Sequence, residues 1–484
     1  MRYLFGLWLI VLGLPVLAQT PGTYTLKQCI EIALANNLTL KQSENTVEGN
    51  KLLVDQVVMN RYPNLNFGVS QSTNFGRSVN PYDNTVVADQ QVNSNNLSLS
   101  SSVTLFNGFQ NQNTIRQRRL NLSASQEDVN TTKNNVLLGV VEAYANVLSN
   151  KALLATANSQ LASTQSQIER TTRLVEAGRL PTANLLDLKS QAATEETNVV
   201  LAQNNLDLAR LSLTQWMQVE SSTVQDVTEP TMVVEESEEV PASRIYAMAE
   251  ASQPQIKAAV ARVRGAESGI ALARAGYYPS LTLQAGLFTN YSSLAQNFVP
   301  GKTLETPIYQ PITTFQITDV NGAEIPIKVN QVITTGPGTF QDLTFQDQFD
   351  NNLRKGFTFN LNIPIFNGFQ SRIAMQNARV NERAAKIQLD QQKNQLRQTI
   401  ETAATNEKAA RKRLEAVEKQ IAALEESYRS SEQRFNLGVL NSVDFILAKT
   451  NLTRAQNDKS RFKYDFFIRR ALLDFYMGKE LNFN

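Results

Sequence analysis

The sequence predicts a mainly α-helical protein that carries a small set of β-strands and is built from a tandem duplication. The segment Phe106-Asn107-Gly108-Phe109-Gln110 recurs letter for letter at 366–370, 260 residues later. Gly178 and Gly438 follow the two copies at the same distance, and no proline lies between either copy and its glycine. Because an internal repeat determines architecture before local patterns do, the two halves are expected to fold alike.

The duplication divides the chain into two repeats, a linker and an insertion. We place the first repeat at 19–220, the linker at 221–242 and the second repeat at 243–484. Upstream of the motifs, the Tyr-Pro pairs at 62–63 and 278–279 are only 216 residues apart, so the second repeat holds 44 additional residues. These indicate a loop insertion at 289–355. The linker is acidic, which is typical of a solvated connection.

The N-terminus predicts an exported protein. Residues 1–18 combine Arg2, an apolar segment from Leu4 to Leu14 and Ala18 before the expected cleavage site, as signal peptides do. The alternative is a membrane anchor, but the apolar segment is shorter than the ~18 residues that a spanning helix needs. An exported chain of this kind is periplasmic, secreted or located in the outer membrane.

Composition argues against several function classes. The chain has 46 Lys plus Arg against 44 Asp plus Glu and no basic tract, so nucleic acid is not an expected partner. Histidine is absent, which removes the commonest metal ligand and general base. Cys29, the single cysteine, is expected to be a small buried residue. No catalytic, cofactor or metal motif is present, so we predict neither an enzyme nor a metal site.

Long helices are predicted at 109–176 and 369–436, each ~100 Å long at ~1.5 Å per residue. Apolar residues recur with 3-4 spacing at matching positions of the two helices, which is the pattern of a coiled coil. The first helix carries a second apolar stripe beside Tyr144. Two stripes allow one helix to pack against a neighbour on each side, as the wall of a helical barrel requires.

A tight turn is expected at the end of each long helix. Gly178 and Gly438 can adopt the left-handed conformation that closes a helix. Thr182, Asn441 and Ser442 then provide side chains that can cap the next helix. Each turn would join two long antiparallel helices.

Four β-strands are predicted from alternation of apolar and small uncharged polar residues, at about 64–71, 96–106, 280–288 and 356–366. The alternative is a pair of hairpins in a soluble sandwich. Against it, the chain offers no second sheet that could cover the apolar faces. We therefore interpret the strands as membrane strands, with the apolar face toward lipid and the polar face toward water.

Closure of the sheet determines the predicted assembly. Four strands cannot enclose a channel, and open strand edges are not tolerated in lipid. Two chains would give eight strands, whose interior is filled by side chains, whereas three would give twelve and leave a channel. Aromatic residues are expected at the membrane interface: Tyr62, Tyr278, Phe106, Phe109, Phe366 and Phe369.

These features together resemble the TolC family of outer-membrane efflux proteins. The resemblance rests on the segment 26–37, the two Tyr-Pro pairs, both Phe-Asn-Gly motifs and both turn glycines. It implies a homotrimer with a 12-stranded β-barrel in the outer membrane of a Gram-negative cell, continuous with a long periplasmic α-helical barrel that holds most of the mass. It also implies a periplasmic adaptor protein and an inner-membrane pump of the RND, ABC or MFS type as partners.

The resemblance assigns roles to the two turns. Adaptor docking is expected at the tips: Gly178, Arg179, Leu180, Thr182, Gly438, Leu440 and Ser442. The family closes its periplasmic end just beyond the tip glycines, which points to Asp444, Asn184 and Leu447 as gate residues. Leu447 and Asn184 stand where acidic residues would be expected, so the gate is predicted to be less acidic. The alternative for Asp444 is a carboxylate favoured by a helix N-terminus.

The predicted function is an outer-membrane channel of a tripartite efflux or type I secretion system. It would pass substrates from an inner-membrane pump and its adaptor to the outside. The alternative from another class is a periplasmic coiled-coil structural or adaptor protein without a channel. Such proteins lack duplicated lipid-facing strand pairs, so the strands distinguish the two hypotheses.

Overall fold

The computed structural model describes residues 22–79, 86–87, 91–229, 240–319, 321–335 and 338–479 of the chain. The predicted signal peptide and the acidic part of the linker lie outside these residues. The chain forms two compact units. The first contains residues 1–55, 114–270 and 376–484, and the second contains residues 56–113 and 271–375.

The described helices include two very long ones at matching places in the two repeats. The nine α-helices of the described residues are α1 (Leu26–Asn36), α2 (Leu38–Met59), α3 (Gln110–Glu176), α4 (Thr182–Met217), α5 (Ala242–Ser252), α6 (Pro254–Arg274), α7 (Phe345–Asn351), α8 (Gln370–Asn436) and α9 (Ser442–Tyr476). Both α3 and α8 have 67 residues. None of the described helices has an apolar stretch sufficient for a membrane-crossing segment.

The described strands are β1 (Gly22–Tyr24), β2 (Asn66–Asn74), β3 (Ser78–Val79), β4 (Val86–Val87), β5 (Val92–Asn107), β6 (Val224–Val227), β7 (Ser280–Ser292), β8 (Gln296–Val299), β9 (Thr303–Thr318), β10 (Glu324–Thr335), β11 (Thr339–Asp342) and β12 (Arg354–Asn362). The strand expected at 356–366 ends earlier, at Asn362. Pro364 follows it, and proline cannot donate to a strand ladder.

The duplication extends to a break between two helices near the start of each repeat. In the first repeat α1 and α2 are interrupted at Asn37, whose ψ of 117° is not helical. Asn37 Oδ1 accepts a hydrogen bond from Leu40 N–H at 3.0 Å, so this residue caps α2. Gln253 interrupts the matching pair α5 and α6 in the second repeat, with a ψ of 127°.

The core of the first unit forms where α3 carries its two apolar stripes. Val140, Tyr144 and Val147 are fully buried and pack with Leu213 and Met217 of α4. Cys29 is also buried in this cluster, as predicted. Residues of both stripes belong to this one cluster, which also holds side chains of α1, α4 and α9.

Part of the predicted linker is not a linker. Within 221–242, β6 pairs in parallel with β1, and Val224 and Val227 are buried in the core of the first unit. The Tyr144 hydroxyl lies 2.5 Å from the carbonyl oxygen of Thr228 and fixes this segment. Burial of the two valines stabilises this segment, although the polar composition of 221–242 predicted a solvated connection.

The second unit is organised around one antiparallel four-stranded sheet with the order β12-β7-β5-β2. Opposite residues in such a sheet share a face. Phe357, Phe359 and Leu361 stand opposite Ala285, Leu283 and Leu281, so the predicted alternation places the apolar residues on one face. That face is open, since Phe357 is 74% exposed.

The insertion at 289–355 is more regular than the predicted loop. It contains the hairpin β9–β10, the short pair β8–β11 and α7. Asp319 Oδ1 accepts hydrogen bonds from the backbone N–H groups of Asn321 and Ala323 at 2.8 and 2.9 Å, which stabilises the turn between β9 and β10. Gln348 of α7 is buried and bonds to the backbone of Ser292.

Candidate functional site

The two turns that follow the long helices have the geometry expected from their glycines. Gly178 has a φ of +68° and Gly438 a φ of +74°. In each turn the glycine N–H bonds to the carbonyl three residues before it. The next N–H bonds to the carbonyl five residues before its own position. This double pattern closes a helix and satisfies its last carbonyls.

Capping of the helices after the turns differs between the repeats. Asn441 caps α9, because its Oδ1 accepts the Asp444 N–H at 2.8 Å. The expected cap from Thr182 is wrong. Pro181 occupies the N-cap position of α4 without a side-chain bond, and Thr182 is the first helical residue. Pro181 has a φ of −65° and a ψ of 145°, which is the extended backbone of an N-cap residue.

Ser442 holds the two tips together. It is buried, and its hydroxyl lies 2.6 Å from Asp187 Oδ2 and 3.2 Å from Asn184 Oδ1. Leu180 also approaches the position that a Cβ on Gly438 would occupy, at 3.8 Å. Of the predicted docking residues, Ser442 is therefore placed for support of the tip, and Asn184 of the predicted gate is tied to it.

An aromatic cluster packs beside the second tip. Phe435 of α8 and Phe445 of α9 stack with centroids 4.7 Å apart and are fully buried. Leu188 of α4 completes this core. The helices that flank both turns thus share one small hydrophobic centre.

Apolar side chains around the second tip are left open. Leu437 is 78% exposed and Val439 is 70% exposed, and Val443 and Leu447 are also exposed. Sequence reasoning named Leu447 but missed the other three. Their sequence does carry a signal, because apolar residues stand beside a turn glycine in a place where turns are normally polar.

Asp444 lies exposed in the first turn of α9. Its Oδ2 accepts a hydrogen bond from Asn441 Nδ2 at 3.0 Å, while its N–H bonds to the same side chain. A carboxylate in this position interacts favourably with the helix dipole. This is the position beside a helix N-terminus that the alternative interpretation of Asp444 requires.

A buried ion pair connects three helices of the first unit. Lys449 of α9 and Glu195 of α4 have side chains that are 6% and 4% exposed, and Lys449 Nζ lies 3.4 Å from Glu195 Oε1. The ammonium also donates to the carbonyl oxygen of Gln160 in α3 at 3.0 Å. Thr164 bonds to both charged groups, and Gln191 Nε2 donates to Glu195 at 2.9 Å.

The environment of Lys449 opposes its charge. Burial lowers the pKa of the ammonium, while the Glu195 carboxylate acts in the other direction. The pair is missing from the sequence-based prediction, because Glu195 and Lys449 are 254 residues apart and neither belongs to a motif. In the part of the chain that the structure describes, no cluster of three metal-ligating side chains is found.

The repeated Phe-Asn-Gly-Phe motif has one conformation in both copies. Phe106 and Phe109 meet edge to face at 5.4 Å, and Phe366 and Phe369 do so at 5.5 Å. Phe109 and Phe369 both have a positive φ, as do the glycines before them. Apart from the half-buried Phe106, the predicted interface aromatics are exposed, including Tyr62 and Tyr278.

Comparison with known proteins decides the family. Residues 29–217 and 329–479, more than half of the chain, match the family model described as outer membrane efflux protein. The chain belongs to the outer membrane efflux protein family. The predicted membership of the TolC-like family is confirmed, and the outer membrane is where this efflux protein is located.

Solved structures confirm the fold class. The efflux protein is similar to CusC, with a TM-score of 0.73 at 17% identity, covering 94% of this chain and 92% of that one. It is similar to VceC of Vibrio cholerae, with a TM-score of 0.73 at 16% identity and coverage of 94% and 96%. It is also similar to the CmeC outer membrane channel of Campylobacter jejuni, with a TM-score of 0.72 at 15% identity, covering 94% of this chain and 85% of that one. Among curated proteins, none matches the sequence at a significant level.

Family and fold together fix the general function. The protein is an outer-membrane channel of the kind that serves tripartite efflux systems. The relatives are channels and not enzymes.

Proposed function

We propose that three copies of this chain form one continuous export channel, with a 12-stranded barrel in the outer membrane and most of the mass in the periplasm. The observation that carries the proposal is the four-stranded sheet of the second unit. Its apolar face is exposed, and its outer strands β2 and β12 each lack a partner on one side within the described residues. In lipid, unpaired backbone groups cost several kcal/mol each, so both edges must be paired.

Pairing β12 of one copy with β2 of the next closes the sheet without new elements. Each chain supplies four strands, so three copies close a ring of twelve. A ring of this size leaves a water-filled interior, whereas eight strands fill with side chains. The polar face, which consists mostly of small uncharged residues, then lines the lumen and the apolar face contacts lipid.

The assembly has a direct test. Purified protein should migrate as a trimer on a gel without heating and as a monomer after boiling. Reconstituted in planar bilayers, it should conduct ions. A detergent-solubilised monomer that conducts by itself would contradict closure by three chains.

The tips of the first unit are the proposed docking site for a periplasmic adaptor that connects the channel to an inner-membrane pump. Exposed Leu437, Val439 and Val443 offer apolar contacts, and Gly178 and Gly438 leave backbone groups accessible. Arg179 and Thr182 are exposed beside them, while Leu180 and Leu440 are partly covered. By the same topology, the insertion at 289–355 lies on the extracellular side.

Replacing Gly438 by Val is expected to impair export while the trimer still assembles. A β-branched residue at a φ of +74° costs on the order of 1–2 kcal/mol, because its side chain collides with its own backbone. Space is not the cause, since only Leu180 comes within 4 Å of the new Cβ. The measurement is the minimal inhibitory concentration of pump substrates in cells that carry the variant.

Asn provides the matched control, because it tolerates the left-handed conformation. Gly438→Asn should keep export near the wild-type level. Efflux that is equally good in the Val and the Asn variants would show that the shape of this turn is irrelevant to docking.

At the proposed gate, three copies of Asp444 would surround the channel axis and bind multivalent cations. Asp444→Asn removes the charge but keeps an acceptor for Asn441, so α9 should remain capped. We expect block by a multivalent cation to weaken roughly ten-fold, since the attraction of three carboxylates is lost. Asp444→Glu retains the charge and should retain block. Identical block of wild-type and Asn channels in planar bilayers would leave only the interaction of Asp444 with the helix N-terminus, with Leu447 as an apolar neighbour.

A further inference from the structure

Strand register assigns the side chains of the four-stranded sheet to two faces. The polar face is defined by every second residue of β7, which are Thr282, Gln284, Gly286 and Phe288, together with their direct partners in β5 and β12. This face consists of Ser, Thr, Asn, Gln and Gly, together with Phe288 and Arg354. Among the residues that the structure describes, Arg354 is the single charged side chain on it.

Arg354 occupies the end of the sheet beside the insertion. It is the first residue of β12 and stands opposite Phe288, which in turn stands opposite Ser98. Its side chain is exposed. The next residue, Lys355, stands opposite Leu287 and therefore belongs to the apolar face.

No carboxylate of the described residues neutralises Arg354. The guanidinium takes part in no ion pair within them. The nearest acidic segment in sequence, α7, packs against the other side of β7: Thr289 Oγ1 donates to the Phe349 carbonyl at 2.9 Å, and Tyr291 contacts the Phe345 ring at 5.5 Å. Both Thr289 and Tyr291 share the face of Leu287 by strand alternation.

We propose that Arg354 makes the outer end of the lumen selective for anions. This inference rests on the proposed function, since three chains place three guanidinium groups around the lumen at the level of Phe288. Rings of Arg or Lys select anions in pores because uncompensated charge concentrates the counter-ion. Beside this ring, Phe288 offers an apolar surface, so the class of solute favoured here is an organic anion with an apolar body.

The experiment measures reversal potentials of reconstituted channels across a KCl gradient at low ionic strength, where screening is weak. Wild-type channels should prefer chloride, and Arg354→Gln should lower the chloride-to-potassium permeability ratio about two-fold or more, as expected for three charges about 10 Å from the ion. Lys355→Gln is the matched control: it removes a charge from the adjacent residue on the opposite face, and the ratio should stay at the wild-type value.

A second variant tests the site in a channel that has already assembled. Arg354→Cys can be modified with a cationic or an anionic methanethiosulfonate reagent, because Cys29 is buried and burial raises its thiol pKa to about 12. The cationic reagent should restore chloride preference and the anionic one should reverse it. Conducting channels whose ratio is insensitive to Arg354 variants, or equally sensitive to Lys355→Gln, would overturn the assignment. A wild-type protein that forms no channel would overturn the proposed function itself.

Discussion

Lys449→Ala is expected to lower the free energy of unfolding of the first unit by about 3–5 kcal/mol, because it leaves the Glu195 carboxylate buried without its cation. The pair is almost inaccessible to water, and Thr164 and Gln191 already bond to Glu195. Neither side chain can replace a positive charge. Thermal unfolding followed by circular dichroism should show a large decrease in Tm relative to wild type.

The double variant Lys449→Met/Glu195→Leu separates charge from packing. Removing both charges and keeping the volume is expected to restore stability to the wild-type level or exceed it by about 1–4 kcal/mol. A surface pair provides the comparison: Lys459 and Glu418 lie 3.3 Å apart between the same α9 and the other long helix, α8, but both are about half exposed. Lys459→Ala should change stability by less than about 1 kcal/mol. If Lys449→Ala and Lys459→Ala lowered the free energy of unfolding equally, burial of the Lys449–Glu195 pair would not explain its contribution to stability.

Much of the fold follows from patterns of the sequence alone because it depends on periodicity. The alternation in β5, β7 and β12 predicted which residues share a face, since strand side chains alternate whatever their neighbours are. The turn glycines were equally predictable, because few other residues tolerate a φ near +70°. The insertion was located by the offset between repeats, although it was predicted as a loop and its hairpin β9–β10 was not anticipated.

The features that escaped the sequence analysis depend on contacts between distant segments. Whether Glu195 and Lys449 are solvated or buried together is decided by the packing of α3, α4 and α9, which no local pattern records. Likewise, Ser442 was predicted as a docking residue of the tip, and its burial beside Asp187 depends on the packing of α9 against α4. The pairing of β6 with β1 joins the region after the first repeat to the start of that repeat, and this long-range contact leaves no local pattern in 221–242.

The glycines of the two Phe-Asn-Gly motifs have the same backbone conformation but different surroundings, so the same substitution can be compared at both. Gly108 and Gly368 have φ values of +63° and +61°. A Cβ on Gly108 would lie 2.7 Å from the Ala275 carbonyl oxygen and 2.6 Å from the Tyr278 Cβ, whereas a Cβ on Gly368 would meet nothing within 4 Å. The same substitution therefore tests strain with and without a collision.

Gly108→Ala is expected to cost about 2–5 kcal/mol, since backbone strain adds to overpacking, and Gly368→Ala only about 1–2 kcal/mol. The collision falls on backbone that cannot rotate away: Ala275 is buried, and its carbonyl already accepts the Tyr278 N–H at 3.0 Å. Tyr278 lies two residues before β7, so a shift there displaces a central strand of the sheet. Heating the assembled protein in detergent should release monomer at a clearly lower temperature for Gly108→Ala than for Gly368→Ala. Equal release temperatures would mean that this turn is free to move, and that the first motif does not anchor the start of β7.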